Sequence, residues 1–196
     1  MNVNRGITVI ITLLVTTNLV KATVMRDYYK MKPTWTFELK SIETYSDNPE
    51  LINFFDWSVD RISRGVYAAS GSMAVNYDIV EGDDNEIEFN VYRSENGVKE
   101  YKPIPFRVER QHLFSYLSTF YKDLVMETFK GCSNMPVFED EFEPPLEKKT
   151  YTLNKCQIDP DEFPQHLQEG FYKVVMTGYG AVKWQLTFVA IVESAM

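Results

Sequence analysis

Short runs in which apolar and polar residues alternate one for one dominate the chain from Trp35 onward, and they predict β-strands with one buried and one wet face. Trp35, Phe37 and Leu39 alternate with Thr36, Glu38 and Lys40, and Ser46-Asp47-Asn48-Pro49 closes that run as a turn. Phe55, Trp57 and Val59 then oppose Asp56, Ser58 and Asp60. Tyr67, Ala69, Gly71, Met73, Val75 and Tyr77 share a parity, and the turn chemistry of Glu81-Gly82-Asp83-Asp84-Asn85 leads into Ile87, Phe89 and Val91. Asn96-Gly97 lies between two strand-like runs and favours a type I′ hairpin, in which both central residues need positive φ. Strands are predicted again over 150–156, 170–177 and 181–192. Gly178-Tyr179-Gly180 joins the last two as a tight hairpin, since either glycine can take positive φ.

One segment changes period. Leu113, Leu117, Phe120, Tyr121, Leu124 and Val125 recur at helical spacing, and Gly131 follows as a natural stop, which predicts a single amphipathic helix over 113–129 with its stripe on the sheets. Pro103 and Pro105 keep the approach extended, and Pro144-Pro145 marks a loop before the strands resume. The fold class is therefore mainly β: an antiparallel, immunoglobulin-like β-sandwich with one inserted amphipathic helix. A chain of 196 residues with 44% apolar content supports one such core.

The first residues alter the chemical setting. Arg5, the apolar run from Ile7 to Val15 and the Val20-Lys21-Ala22 stretch read as a cleaved secretory signal over 1–22, leaving a single domain over 23–196. Thr12, Thr16, Thr17 and Asn18 interrupt a run that falls short of the roughly 20 apolar residues a membrane span requires. A secreted, extracellular chain meets oxidising conditions, so Cys132 and Cys156, its two cysteines, are expected to pair. Removing Arg5 and Lys21 from 20 basic residues leaves 18 against 28 acids, a net charge of −10. With no Lys/Arg stripe, that balance argues against nucleic acid and anionic membrane as partners. No Asn-x-Ser/Thr sequon is present.

Constellations for catalysis are scarce, and no enzyme is expected. His112 and His166 sit in no HExxH, HxH or Cys/His pattern, so no metal and no cofactor is implied. Gly71-Ser72 is not a nucleophile elbow. The acids of 81–86 lack the spacing of a calcium loop and read as a solvated hairpin tip. Glu139-Asp140-Glu141-Phe142-Glu143 interleaves acids with Phe138 and Phe142, either as a docking face or as an extended loop pinned by the two rings.

The 3 Trp, 12 Tyr and 13 Phe point toward binding. A sandwich that parts its sheets could line an apolar interior with Phe55, Trp57, Val59, Met73, Phe89 and Val91. The helix would add Leu117, Phe120 and Tyr121, and the last strand Trp184, Leu186 and Phe188. Periodicity does not separate that arrangement from an ordinary filled core, which ranks first on these residues alone.

A longer series then adds to the pattern. Gly131-Cys132-Ser133-Asn134-Met135-Pro136, Phe138-Glu139-Asp140, Phe142, Pro144-Pro145-Leu146, Thr150-Tyr151 and Cys156 resemble the insect chemosensory CheB family, which is unrelated to the bacterial methylesterase of that name. Val91-Tyr92-Arg93-Ser94, Tyr101-Lys102-Pro103-Ile104-Pro105-Phe106, Pro164-Gln165-His166-Leu167, Gly170-Phe171-Tyr172-Lys173 and the Trp184 strand continue the likeness over roughly residues 35–193. The resemblance implies a secreted protein of chemosensory tissue, distantly like the GM2 activator and MD-2-related lipid-recognition domains, whose sandwiches are cups around a lipid-sized interior. It implies carriage or presentation of an apolar small molecule, a lipid or hydrocarbon pheromone, without catalysis. Two alternatives stand beside it: modulation of a membrane receptor or channel through the 138–142 surface, and extraction of glycolipid for a hydrolase. The GM2 activator type uses several disulfides, whereas this mature chain can make only one.

Overall fold

The computed structural model describes residues 33–98, 100–158 and 163–195. The secretory signal expected over 1–22 lies outside the described residues, as do residues 23–32. Eight strands form two antiparallel sheets: β1 (Trp35–Ser46), β2 (Ile52–Ser63), β3 (Val66–Val75), β4 (Glu86–Ser94), β5 (Lys102–His112), β6 (Lys149–Gln157), β7 (Gly170–Tyr179) and β8 (Trp184–Ser194). A five-stranded sheet runs β1-β8-β7-β4-β5 and a three-stranded sheet runs β2-β3-β6. Pro103 and Pro105 fall on β5, an edge strand, where a missing backbone donor costs least. The main core cluster joins Ile87, Trp184 and Leu186 of the larger sheet, Ile52, Val75 and Tyr151 of the smaller, and the helix. The rings of Trp57 and Phe188 meet between the sheets at 6.3 Å, and those of Phe54 and Trp184 at 5.9 Å. The β-sandwich with one inserted helix is therefore observed as expected. Among the described residues no helix is long and apolar enough to cross a membrane.

The helix, α1, spans 113–129, but its middle is not α-helical. Leu113–Tyr116 and Met126–Phe129 are α, whereas Leu117–Val125 is a π-helix. Burial explains the widening. Phe114, Leu117, Tyr121 and Met126 are buried, and the step from Tyr121 to Met126 is five residues. At 3.6 residues per turn that step would swing Met126 about 140° off the stripe. An i→i+5 turn, sealed by the Met126 N–H to the Tyr121 carbonyl, returns it to the core. Leu124, expected in the stripe, is exposed instead.

Strand parity breaks at one other expected place. Asp56 has φ +58, and the β2–β3 register shifts between Phe55 and Ser58. This bulge turns Phe54 into the core and leaves Phe55 exposed, so Phe55 is not an interior residue. Two turns also differ. Asn96-Gly97 belongs to a longer connection, because β4 and β5 resume pairing only at Arg93 and Lys102; Gly97 has φ +70, but Asn96 does not take positive φ. The last hairpin closes between Gly178 and Trp184, so β8 begins three residues later than expected and Gly178 lies inside β7. Its lack of a side chain is used by the Trp184 ring, which covers its Cα so closely that any Cβ would collide. Trp57 covers Gly71 across β2 and β3 in the same way.

Candidate functional site: a seam on the inward face of the larger sheet

Alternation and register define the inward face of the larger sheet. Ile87, Phe89 and Val91 on β4 face Gly178, Met176 and Val174 on β7, which in turn pair with Trp184, Leu186 and Phe188 on β8. Two apolar clusters occupy this face. The main cluster, packed by α1 and the smaller sheet, takes Phe89, Met176 and Phe188. A second cluster holds Trp35, Tyr172 and Val192, with Phe37, Val91, Ile104 and Leu167 packed on it. The segment 163–167 covers that second cluster. Trp35 Nε1 donates to the Pro164 carbonyl at 2.8 Å, the Thr34 N–H donates to the Gln165 carbonyl at 3.1 Å, and Phe163 meets the Trp35 ring edge-on at 6.4 Å.

Between the clusters lies a seam. Val174 and Ala190 face inward by register, belong to neither cluster, and are only half-buried. Phe89, Phe188 and Val91 flank them and are also half-buried, as are Trp57 and Val59 on the smaller sheet. An inward row of aliphatic and aromatic side chains that keeps solvent access can bury an apolar chain, whereas a finished core would leave it nothing to cover.

The other expected lining residues fall into two groups. Leu117, Tyr121, Trp184 and Leu186 are buried in the main cluster, while Met73 and Phe120 are half-buried against it. Phe120 stacks on Tyr116 at 5.7 Å and Tyr116 on Phe89 at 5.8 Å, which carries the aromatic wall from α1 to the seam. Val174, Ala190 and Phe54 were not among the expected residues. Nothing in an aliphatic residue's local pattern marks a gap between two clusters, and Phe54 depends on the bulge.

The polar groups are few. The Tyr116 hydroxyl has no hydrogen-bond partner among the described residues, and burial pushes its ionisation well above the ordinary phenol range. Tyr121 donates its hydroxyl to the Pro136 carbonyl at 2.7 Å, Tyr151 donates to Glu147 at 2.8 Å, and burial pushes both phenols up to about 12 from 10.0. A phenol kept neutral in the fold favours folding fully below pH 10.0, and that contribution is lost as pH rises toward 12. Each such group should cost about 2–3 kcal/mol of stability across that window. Tyr121→Phe is expected to flatten the fall between pH 10 and 12 while costing about 1 kcal/mol at pH 7, where only the hydrogen bond is lost. Urea unfolding at both ends of the range measures this; an unchanged slope would place the alkaline loss elsewhere.

The remaining candidates are structural. His112 caps α1 through Nδ1, which accepts from the Phe114 N–H at 3.4 Å, while Nε2 donates to the Asp83 carbonyl at 3.0 Å. His166 Nδ1 bonds the Thr34 hydroxyl at 3.0 Å. Phe138 and Phe142 turn onto α1, against Tyr121 at 6.3 Å and Phe114 at 5.6 Å, and the Phe142 N–H donates to Ser118 at 2.9 Å. The 138–142 segment is thus a loop pinned by its two rings, with its acids exposed. Cys132 and Cys156 form a disulfide with Cα atoms 5.3 Å apart.

No curated protein matches the sequence. Residues 87–174, from the start of the inward row on β4 through α1 and the disulfide to Val174 at the seam, match the family described as "Protein of unknown function (DUF1091)".

Proposed function

We propose that this protein is a secreted, non-catalytic binding protein that carries or presents an apolar ligand, a lipid or hydrocarbon of the kind used as a chemosensory cue, as the resemblance to the CheB family implies. The half-buried inward row at Val174 and Ala190 carries the reading. A methylene taken from water into such a surface contributes about 0.8 kcal/mol, so a chain of moderate length needs no polar anchor. The match over 87–174 supports the CheB likeness only in part, since that family is an insect and arthropod one without an assigned activity.

Filling the seam tests the proposal. Ala190→Trp should displace about four methylenes of a bound chain, or about 3 kcal/mol and roughly a hundredfold in affinity. Protein secreted from insect cells should release lipid or hydrocarbon on organic extraction and take up a fluorescent fatty acyl chain, and the variant should do neither at unchanged secondary structure. Wild-type protein that neither carries nor takes up any apolar molecule would overturn the reading. The interaction alternative loses its aromatic anchors, because Phe138 and Phe142 are occupied by α1.

A further inference from the structure

On the reading that the seam binds an apolar chain, we propose that it opens at the β5 edge of the larger sheet, with Phe106 as its mouth. It would take a single-chain lipid tail first and leave the polar end in water at that edge. β5 is the outermost strand of its sheet, and its pairing with β4 slips at the seam. Asn90 pairs with Arg107 but Tyr92 with Pro103, so Val91 alone opposes Ile104, Pro105 and Phe106. The extra residues lift β5 off its partner there, as bulges do at sheet edges and beside functional sites. Pro103 and Pro105 bring no N–H with which to tighten it.

Phe106 shares the parity of Ile104 and Val108 on β5. Ile104 packs on the second cluster and Val108 on the main one, whereas Phe106 belongs to neither and is 46% exposed. It continues the seam to the sheet edge. From Phe106 the inward row passes to Val91, and register carries it from Val91 to Val174 and from Val174 to Phe188, with Ala190 alongside. Neighbouring strands lie about 4.8 Å apart, so the row runs about 14 Å from β5 to β8. Its far end is shut: Leu39 on β1 pairs with Ala190 and is 4% exposed, while Ile42 pairs with Phe188 and packs on the main cluster. Among the described residues, the row is therefore open to solvent at β5 and closed at β1.

The lining sets the direction of the chain. Phe106, Val91, Val174, Ala190 and Phe188 have no polar side-chain atom. Trp57, which meets Phe188 from the smaller sheet at 6.3 Å, spends its Nε1 on the Ser72 carbonyl at 2.9 Å. A hydroxyl or carboxylate drawn along this row would lose its water without gaining a partner, whereas each methylene gains by leaving water. The tail therefore runs inward toward Ala190 and the polar end stays at Phe106. The two clusters bound the row on either side, so one chain lies in it rather than several.

Stearic acid carrying a nitroxide near its carboxyl end or near its methyl end, titrated into the full mature chain and followed by the methyl NMR signals of Ile104 and Ala190, tests this orientation. The carboxyl-end label should broaden Ile104 more than Ala190, and the methyl-end label should do the reverse. Phe106→Ala removes an exposed ring, so it should keep the native fold and release the bound chain about fivefold faster, with Phe106→Leu restoring most of the slow release. Saturable binding in which neither label broadens Ile104, or in which the two patterns are exchanged, would overturn the mouth at β5 while leaving the seam as a binding site. A release rate unmoved by Phe106→Ala would do the same. No saturable binding of either probe would overturn the mouth and the seam together.

Discussion

Replacing Trp184 by alanine is expected to cost about 4 kcal/mol of unfolding free energy, the middle of the range for removing a buried aromatic side chain. Three arrangements converge on this ring. It is 9% exposed within the main cluster, it covers Gly178 on β7, and it meets Phe54 of the smaller sheet at 5.9 Å. Its removal leaves a hole that β7 cannot close, since Gly178 has no side chain to fill it. Gly178→Ala tests the same contact from the other side. The added methyl would press into the ring, and overpacking of this kind costs about 1–3 kcal/mol. Urea unfolding followed by near-ultraviolet circular dichroism measures both, and a loss below about 1.5 kcal/mol for Trp184→Ala would show that the ring does not tie the sheets together.

The second large effect is at the disulfide. A bridge across a sequence separation of 24 restrains the unfolded chain by about 3.5 kcal/mol in the chain-entropy account, so Cys132→Ser with Cys156→Ser should lower stability by that amount. The bridge returns the chain from the end of α1 to β6, but it does not do so alone. The Asn154 N–H donates to the Cys132 carbonyl at 2.8 Å, and Asn134 takes the Thr152 N–H at 2.7 Å while donating to the Thr150 carbonyl at 2.8 Å. The double variant should therefore keep its native circular dichroism spectrum while its unfolding midpoint falls. Loss of native structure in the absence of denaturant would show that the covalent link, not this hydrogen-bonded junction, positions α1.

Much of the architecture was legible because alternation is a local signal. Trp35, Phe37 and Leu39 share the inward face through their spacing, opposite Ser194, Val192 and Ala190 on β8, and the same logic places Phe89, Trp184, Leu186 and Phe188. The helix was legible for a related reason, because a change of period needs no partner to be seen. The errors fall where a residue's conformation is imposed by something distant. Asp56 gains its positive φ from a bulge against β3, and that one residue exchanges Phe54 for Phe55. The π turn in α1 exists because Met126 must reach a core built by strands far along the chain. Gly178 was read as a turn residue, but it is a seat for the Trp184 ring.

The candidate sites divide the same way. The aromatic supply and the paired cysteines were visible as composition and spacing. The seam was not, since the sequence around Val174 and Ala190 does not show that these inward strand residues fall outside both clusters and stay half-buried. By itself, then, the sequence determined a β-sandwich, one helix and a covalent junction, because periodicity and cysteine pairing act through near neighbours or few partners. Only the tertiary structure decided which apolar side chains finish a core and which stay half-buried, because burial depends on the elements packed against a residue as well as on the residue itself.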